Sequence, residues 1–185
     1  AIGDVADNMP PDALVIIETT VPPGTTDGIA LPVIQERLSA RGVPSNQFML
    51  AHSYERVMPG KGYFRSIRHF WRVYAGMDDR AADACRDFFE IVIDTENFPL
   101  TRVKTCRASE LAKVLENTYR ATTIALMDEW GRLAERIGVD LFEVIDAIRF
   151  RPTHNNMREP GFGVGGYCLT KDPLFAEASA RQLFG

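Results

Sequence analysis

The sequence predicts an α/β protein: a parallel sheet with crossover helices in the first half, then an all-α part built on one long helix. Two observations carry this. Apolar, β-branched runs alternate with segments of helical periodicity up to about residue 104, the pattern of strand–helix–strand units. From Ser109 to Ile137 apolar residues then recur at helical spacing with no interior proline.

Taken in order, Ala1 to Met9 reads as the end of a helix, and Pro10, Pro11 and Asp12 as a turn. Ala13 to Thr19 is rich in β-branched residues and suits a strand buried on both faces. Val21-Pro22-Pro23-Gly24-Thr25-Thr26 breaks it. A helix is expected from Asp27 to Ala40, with Ile29, Leu31, Val33, Ile34 and Leu38 on one side and Gly42 as its stop. Phe48 to Ala51 is a second strand, and Trp71 to Ala75 a third that ends at Gly76. Asp78 or Asp79 caps a helix from Arg80 to Phe89. Ile91 to Asp94 is expected as a fourth strand or an extended connection. The long helix carries Leu111, Leu115, Tyr119, Thr122, Leu126, Trp130, Leu133 and Ile137, and Gly138 ends it. Asp140 and Glu143 form a capping box for a helix to Ile148. Arg151 to Gly166 is irregular. Asp172-Pro173 reads as an N-cap followed by proline at the first helical position.

Composition narrows the function classes. The 185 residues are 25% charged and 45% hydrophobic, with a net charge of −4. That fits a soluble globular protein and excludes a disordered tail, a collagen-like chain or a disulfide-stapled miniprotein. Apolar runs such as Leu14 to Ile17 fall far short of the ~20 residues that cross a bilayer. No charged-then-apolar leader opens the chain, so neither a signal peptide nor a membrane partner is expected. The acidic balance argues against a nucleic-acid partner. Three cysteines, Cys85, Cys106 and Cys168, cannot all pair within one chain, which favours a reducing cytoplasm. No metal site is read from the sequence.

Several residues could carry chemistry. Gly161-Phe162-Gly163-Val164-Gly165-Gly166 matches G-x-G-x-x-G, yet a proline-bearing loop precedes it and Tyr167 to Thr170 follows it. The dinucleotide fingerprint needs a strand before and a helix directly after. The glycines instead suit a loop that lets a ligand or another chain segment approach closely, against a plain surface loop. Cys168 lies just behind them. Lys171 and the N-terminus of the helix expected from Pro173 would favour its thiolate, the form that acts as a nucleophile; an inert buried cysteine is the alternative, and is the reading for Cys85 and Cys106. Asp172 is a candidate polar group or only a cap. Lys113 and Asn117, four apart, share one helix face, which can be a site or a solvated surface. Glu55-Arg56 follows a strand, where α/β proteins often place site residues, or is a surface ion pair.

Together these segments resemble a known family. Ile17-Glu18-Thr19-Thr20-Val21-Pro22-Pro23-Gly24-Thr25-Thr26 is similar to the "ESTVPPGTT" segment of the UDP-glucose/GDP-mannose dehydrogenases. His52 to Gly60 resembles their "PERVxPG" segment, Glu110 to Arg120 their "ELAKLxENTYR" helix, and Gly165 to Pro173 their "GGxCxxKDP" loop. The resemblance implies oxidation of the C6 alcohol of a nucleotide sugar to a carboxylate, with two NAD⁺ and one water. It implies Cys168 as the nucleophile, Lys113 polarising the C6 oxygen, Asn117 in an oxyanion hole and Asp172 orienting water or sharing proton traffic. Thr20 would stand near the nicotinamide, and Glu55 would hydrogen-bond in the site as a base for thioester hydrolysis. Thr20, Glu55 and Lys171 are expected toward the cofactor; Glu55, Arg56, Lys113, Asn117 and Gly165 toward the substrate.

The same resemblance divides the chain. Residues 1–104 would be the C-terminal part of a Rossmann-like NAD-binding domain, and residues 105–185 the central helical domain with the cysteine loop. In the family the long helix, here 109–137, pairs subunits, so a homodimer is expected. Pro59-Gly60 resembles the branch acting on UDP-N-acetylhexosamines, whereas Lys171-Asp172 points toward UDP-glucose; the former is favoured over UDP-glucose or GDP-mannose. The family's opening glycine fingerprint and closing nucleotide-binding domain have no counterpart here, so a fragment with an incomplete site is expected. A catalytically silent, self-associating helical module is the alternative. A β-hydroxyacid dehydrogenase relative is a third, weakened by the cysteine loop.

Overall fold

A computed structural model describes residues 1–184. Two compact units divide the chain, Ala1–Val114 and Leu115–Gly185. The first holds α1 (Ile2–Asn8), β1 (Leu14–Ile17), α2 (Leu31–Ala40), β2 (Met49–His52), α3 (Tyr63–Arg68), β3 (Val73–Gly76), α4 (Asp79–Val92) and β4 (Thr101–Arg102). The helix α5 (Cys106–Ile137) begins in the first unit and continues into the second, where α6 (Leu141–Arg149) and α7 (Tyr167–Phe184) follow.

The sheet order is β1-β2-β3-β4. β1 and β2 are parallel from Leu14↔Met49 to Ile17↔His52, and β3 pairs with β4 in parallel. Between them β2 and β3 run antiparallel, through Ala51↔Gly76 and His52↔Ala75. The sheet is thus mostly parallel, as expected, with one antiparallel step that the sequence did not indicate. A parallel return needs a crossover element that traverses the sheet, and the six residues of α3 span only ~9 Å. β1 is half-buried throughout and lies at the sheet edge, so it is not buried on both faces as the apolar run suggested.

Helices cover both faces. Ala6 and Met9 with Ile34, Leu38 and Leu50 make one core, and Ala51, Tyr74, Ala82, Cys85, Phe89 and Ile93 make the other. The spacing 82-85-89-93 shows why Ile91–Asp94 is not the fourth strand: the helical stripe of α4 runs on, and a short apolar run cannot reveal this. The fourth strand is the two-residue β4.

Helix ends follow side-chain chemistry. Asp78 caps α4 by accepting from the Ala81 N–H at 2.7 Å, and Asp140 caps α6 by accepting from the Phe142 N–H at 2.9 Å. The Thr105 hydroxyl accepts from the Ala108 N–H at 3.1 Å, which starts α5 at Cys106 rather than Ser109. The segment expected as one helix from Asp27 instead opens with a π turn, Thr26–Ala30. Asp172-Pro173 starts nothing: α7 begins at Tyr167 and contains Pro173. Cys85 and Cys106 are buried, and burial pushes both thiols up to about 12, in keeping with inert cysteines. Among the described residues no helix is long and apolar enough to cross a membrane.

The turn from β3 into α4 depends on Gly76. A Cβ there would stand 2.2 Å from the Ala82 nitrogen and 2.6 Å from the Asp78 carbonyl oxygen, both backbone atoms that cannot swing away. Gly76→Ala should therefore destabilise the chain by about 3 kcal/mol, read as a lower urea midpoint at unchanged slope.

Candidate active site

The loop after β2 and the first turns of α5 form a polar cluster in the first unit. Lys113, only 8% exposed, donates from Nζ to the Glu55 carbonyl oxygen at 2.8 Å and stands 3.4 Å from Glu55 Oε1. The other Glu55 oxygen accepts from the Val57 N–H at 2.6 Å. Arg56 donates to the Trp71 carbonyl at 2.9 Å and to the Tyr54 hydroxyl at 3.1 Å. Lys113 and Glu55 are thus partners, and neither the solvated-surface reading of Lys113 nor a Glu55–Arg56 surface pair describes them.

Three residues before Lys113, Glu110 is fully buried. Its Oε2 accepts from the Gly24 N–H at 2.6 Å. Its Oε1 accepts from the Thr26 N–H at 2.7 Å and the Thr26 hydroxyl at 2.6 Å. The Val21–Thr26 turn is thereby tied to α5. Thr20, half-buried, lies between β1 and this clamped turn. Glu110 was missed as a site residue because a glutamate on an amphipathic helix reads as solvated surface. Its place in the quoted helix motif, one turn before Lys113, was the available signal.

The second unit holds the other cluster. Asn117 Nδ2 donates to Asp172 Oδ2 at 2.6 Å, and Lys171 Nζ to Asp172 Oδ1 at 2.5 Å. Asp172 is fully buried and Asn117 is 7% exposed. Asp172 is therefore not a helix cap; it sits inside α7 with both oxygens engaged. The Lys171 ammonium also lies 4.4 Å from the Phe175 ring centre and 5.5 Å from that of Tyr167. Cys168 is exposed, in the first turn of α7 and four residues before Asp172, so the two share one helix face. Helix α7 follows Gly166 directly, which removes half of the objection to a dinucleotide fingerprint. The other half stands, because a 3₁₀ turn, Pro152–His154, and irregular chain precede the glycines instead of a strand. Gly165 is exposed in that loop. Among the described residues no group of His, Cys, Asp and Glu side chains is placed to hold a metal.

The fold and these clusters define an α/β unit joined to a helical unit that offers an exposed thiol beside a buried carboxylate–amide–ammonium triad. The chain belongs to the UDP-glucose/GDP-mannose dehydrogenase family: residues 107–184 match the model of that family's central domain. It is 38% identical over 187 residues to a UDP-N-acetyl-D-mannosamine dehydrogenase of Pyrococcus horikoshii, covering 100% of this chain and 42% of that protein. A second such enzyme, from Methanocaldococcus jannaschii, is 35% identical over 91% of this chain and 36% of its own length. The crystal structure of an NDP-N-acetyl-D-galactosaminuronic acid dehydrogenase from Methanosarcina mazei superposes with a TM-score of 0.83 at 29% identity, over 100% of this chain and 38% of that one. The chain thus spans about two fifths of the length of these relatives.

His52, which ends β2 beside this cluster, is fully buried with Nδ1 2.9 Å from the Ser109 hydroxyl. Burial pushes its pKa down to about 4. The folded value lies below the unfolded one of ~6.5, so the unfolded state takes up the proton first. Stability from this group is complete above ~6.5 and is lost as pH falls toward 4, by roughly 3 kcal/mol. Denaturation between pH 7 and 4 should show a flatter decline for His52→Asn than for the wild type.

Proposed function

We propose that this chain carries the central portion of an NAD-dependent nucleotide-sugar 6-dehydrogenase. Its substrate is a UDP-sugar, a UDP-N-acetylhexosamine, whose C6 alcohol is oxidised to the uronic acid in two hydride transfers. The observation that carries this reading is the burial of Lys113, Asn117 and Asp172. Polar side chains at these motif positions are withdrawn from water, Lys113 against Glu55 and Asn117 against Asp172, which a decorative surface would not require. The names of the relatives and the Pro59-Gly60 ending support the N-acetylhexosamine substrate.

NAD⁺ supplies the hydride acceptor when bound. The G-x-G-x-x-G segment does not form the strand–turn–helix that cradles a pyrophosphate, so only Thr20 and Glu55 are assigned to the cofactor's reactive end. Lys171, expected toward the cofactor, we assign first to holding Asp172. Lys113 polarises the C6 oxygen as negative charge develops there. As the first hydride leaves, the C6 hydroxyl gives up its proton to water; the Cys168 thiolate then adds to the aldehyde carbon, whose oxygen takes a proton from water, and gives a thiohemiacetal, which loses that proton again with the second hydride. Loss of the second hydride leaves a thioester. Asp172 orients the water that attacks it, Glu55 takes that water's proton, and the acid leaves as the thiol is restored. Asn117 donates to the oxyanion, while Arg56 and Gly165 contact the sugar nucleotide.

One further observation favours self-association. Leu111, Leu115, Tyr119, Leu126, Leu133 and Ile137 of α5 are 40% to 64% exposed, a row of apolar side chains along one helix. We propose this row as the face through which two copies pair.

The test joins this chain to the flanking parts of the Pyrococcus horikoshii relative and follows NADH and sugar-acid formation from UDP-N-acetyl-D-mannosamine. Cys168→Ala should lose acid formation by on the order of a thousandfold, ~4 kcal/mol of barrier, with aldehyde-level chemistry spared. Lys113→Ala should impair both steps. Acid formation by Cys168→Ala at the wild-type rate contradicts the proposal.

A further inference from the structure

Tyr54 lies between the candidate cations of the first unit. It is 2% exposed and opens the loop after β2. The Lys113 ammonium sits 5.5 Å from its ring centre and the Arg56 guanidinium 5.3 Å. Its hydroxyl accepts from Arg56 Nη2 at 3.1 Å. Its carbonyl accepts from Arg72 Nη1 at 3.0 Å. Arg72 is itself anchored: it is 3% exposed, pairs with Glu18 Oε1 at 2.5 Å and lies 5.4 Å from the Phe89 ring centre. A buried ring fixed from its backbone is a rigid surface, and its negative π-face attracts cations by ~0.5–2 kcal/mol as they lose water. The proline in the quoted family segment "PERVxPG" stands where this chain has Tyr54; proline offers neither ring nor hydroxyl.

We propose that Tyr54 is a positioning residue that sets where these two cations stand, its ring facing both the Lys113 ammonium and the Arg56 guanidinium and its hydroxyl adding a hydrogen bond to Arg56 alone of the two. The proposal rests on the reading above, in which Lys113 polarises the C6 oxygen and Arg56 contacts the substrate. The two functions of one side chain are separable. Tyr54→Phe keeps the ring and removes the hydroxyl together with its hydrogen bond from Arg56. Tyr54→Leu removes both.

The first arm needs no activity. In this chain labelled with ¹³C-lysine, the Lys113 ε-protons, assigned by their loss in Lys113→Arg, should resonate upfield of their own position in the urea-unfolded chain in the absence of any ligand, moved by the Tyr54 ring current. The shift should persist in Tyr54→Phe and vanish in Tyr54→Leu. If circular dichroism shows Tyr54→Leu unfolded, the wild type and Tyr54→Phe decide the matter: a shifted Lys113 in both is expected, and an unshifted one in either overturns the proposal. The second arm uses the joined enzyme described above. Tyr54→Phe should raise KM for the UDP-sugar with kcat nearly unchanged. Tyr54→Leu should also lower kcat about tenfold, the scale of a desolvated cation–π contact. Equal loss of kcat in both variants overturns the division of labour between ring and hydroxyl. A joined enzyme that is folded but inactive, with the Lys113 shift as expected, contradicts the proposed reaction while leaving the placement of Lys113 by Tyr54 standing.

Discussion

The fully buried carboxylate of Glu110 is the constraint on which the first unit depends. An ionised carboxylate withdrawn from water is costly unless its oxygens are satisfied. Here they accept from the Gly24 and Thr26 N–H groups and from the Thr26 hydroxyl. The turn after β1 must therefore hold those donors in one arrangement, and the residues on either side inherit it. Thr20 is placed upstream of the clamp. Downstream, Thr26 opens the π turn that feeds α2. On the helix side the same carboxylate fixes the first turns of α5, where Lys113 follows three residues later and meets Glu55 from the loop after β2. Glu110 ties the turn after β1 to α5, and Lys113 ties the loop after β2 to the same helix.

The second unit uses the same device with a different partner set. Asp172 is buried in α7, a helix that carries proline at its next position and so lacks one backbone hydrogen bond there. Its two oxygens take one hydrogen bond from Asn117 and one from Lys171. The ammonium of Lys171 is shielded in turn by the Phe175 ring. Cys168, one turn earlier on the same face, stays exposed. An exposed thiol thus stands one helical turn before a buried carboxylate held by two hydrogen bonds.

Much of this was legible in the sequence, for reasons that differ by element. The β-branched run at β1 and the long 3.6-residue period of α5 are strong local signals, and both elements form. Asp78, Asp140 and Gly138 mark helix ends because a side-chain oxygen or a positive φ, 74° at Gly138, satisfies a need that is local. Strand direction is not local. The antiparallel step between β2 and β3 depends on how far α3 carries the chain, and nothing in the spacing of apolar residues encodes that. Asp172-Pro173 matches a helix start letter for letter, yet the partner that claims Asp172 lies 55 positions away at Asn117. Glu110 and Tyr54 look ordinary on their own elements for the same reason: their partners lie on distant stretches, and only the helix motif pointed to Glu110. Lys113 and Asn117 stand out in the sequence because their spacing and the family motif coincide, and both side chains are buried.

Amide hydrogen exchange at Gly24 and Thr26 in the 185-residue chain tests the central claim directly. Both N–H groups lie in a turn rich in proline and glycine, where exchange is ordinarily fast. If Glu110 clamps them, they should exchange as slowly as amides in the middle of α5, such as that of Val114, because opening must break the buried carboxylate's hydrogen bonds. Exchange of Gly24 and Thr26 at the rate of an exposed loop glycine such as Gly60 would contradict the account.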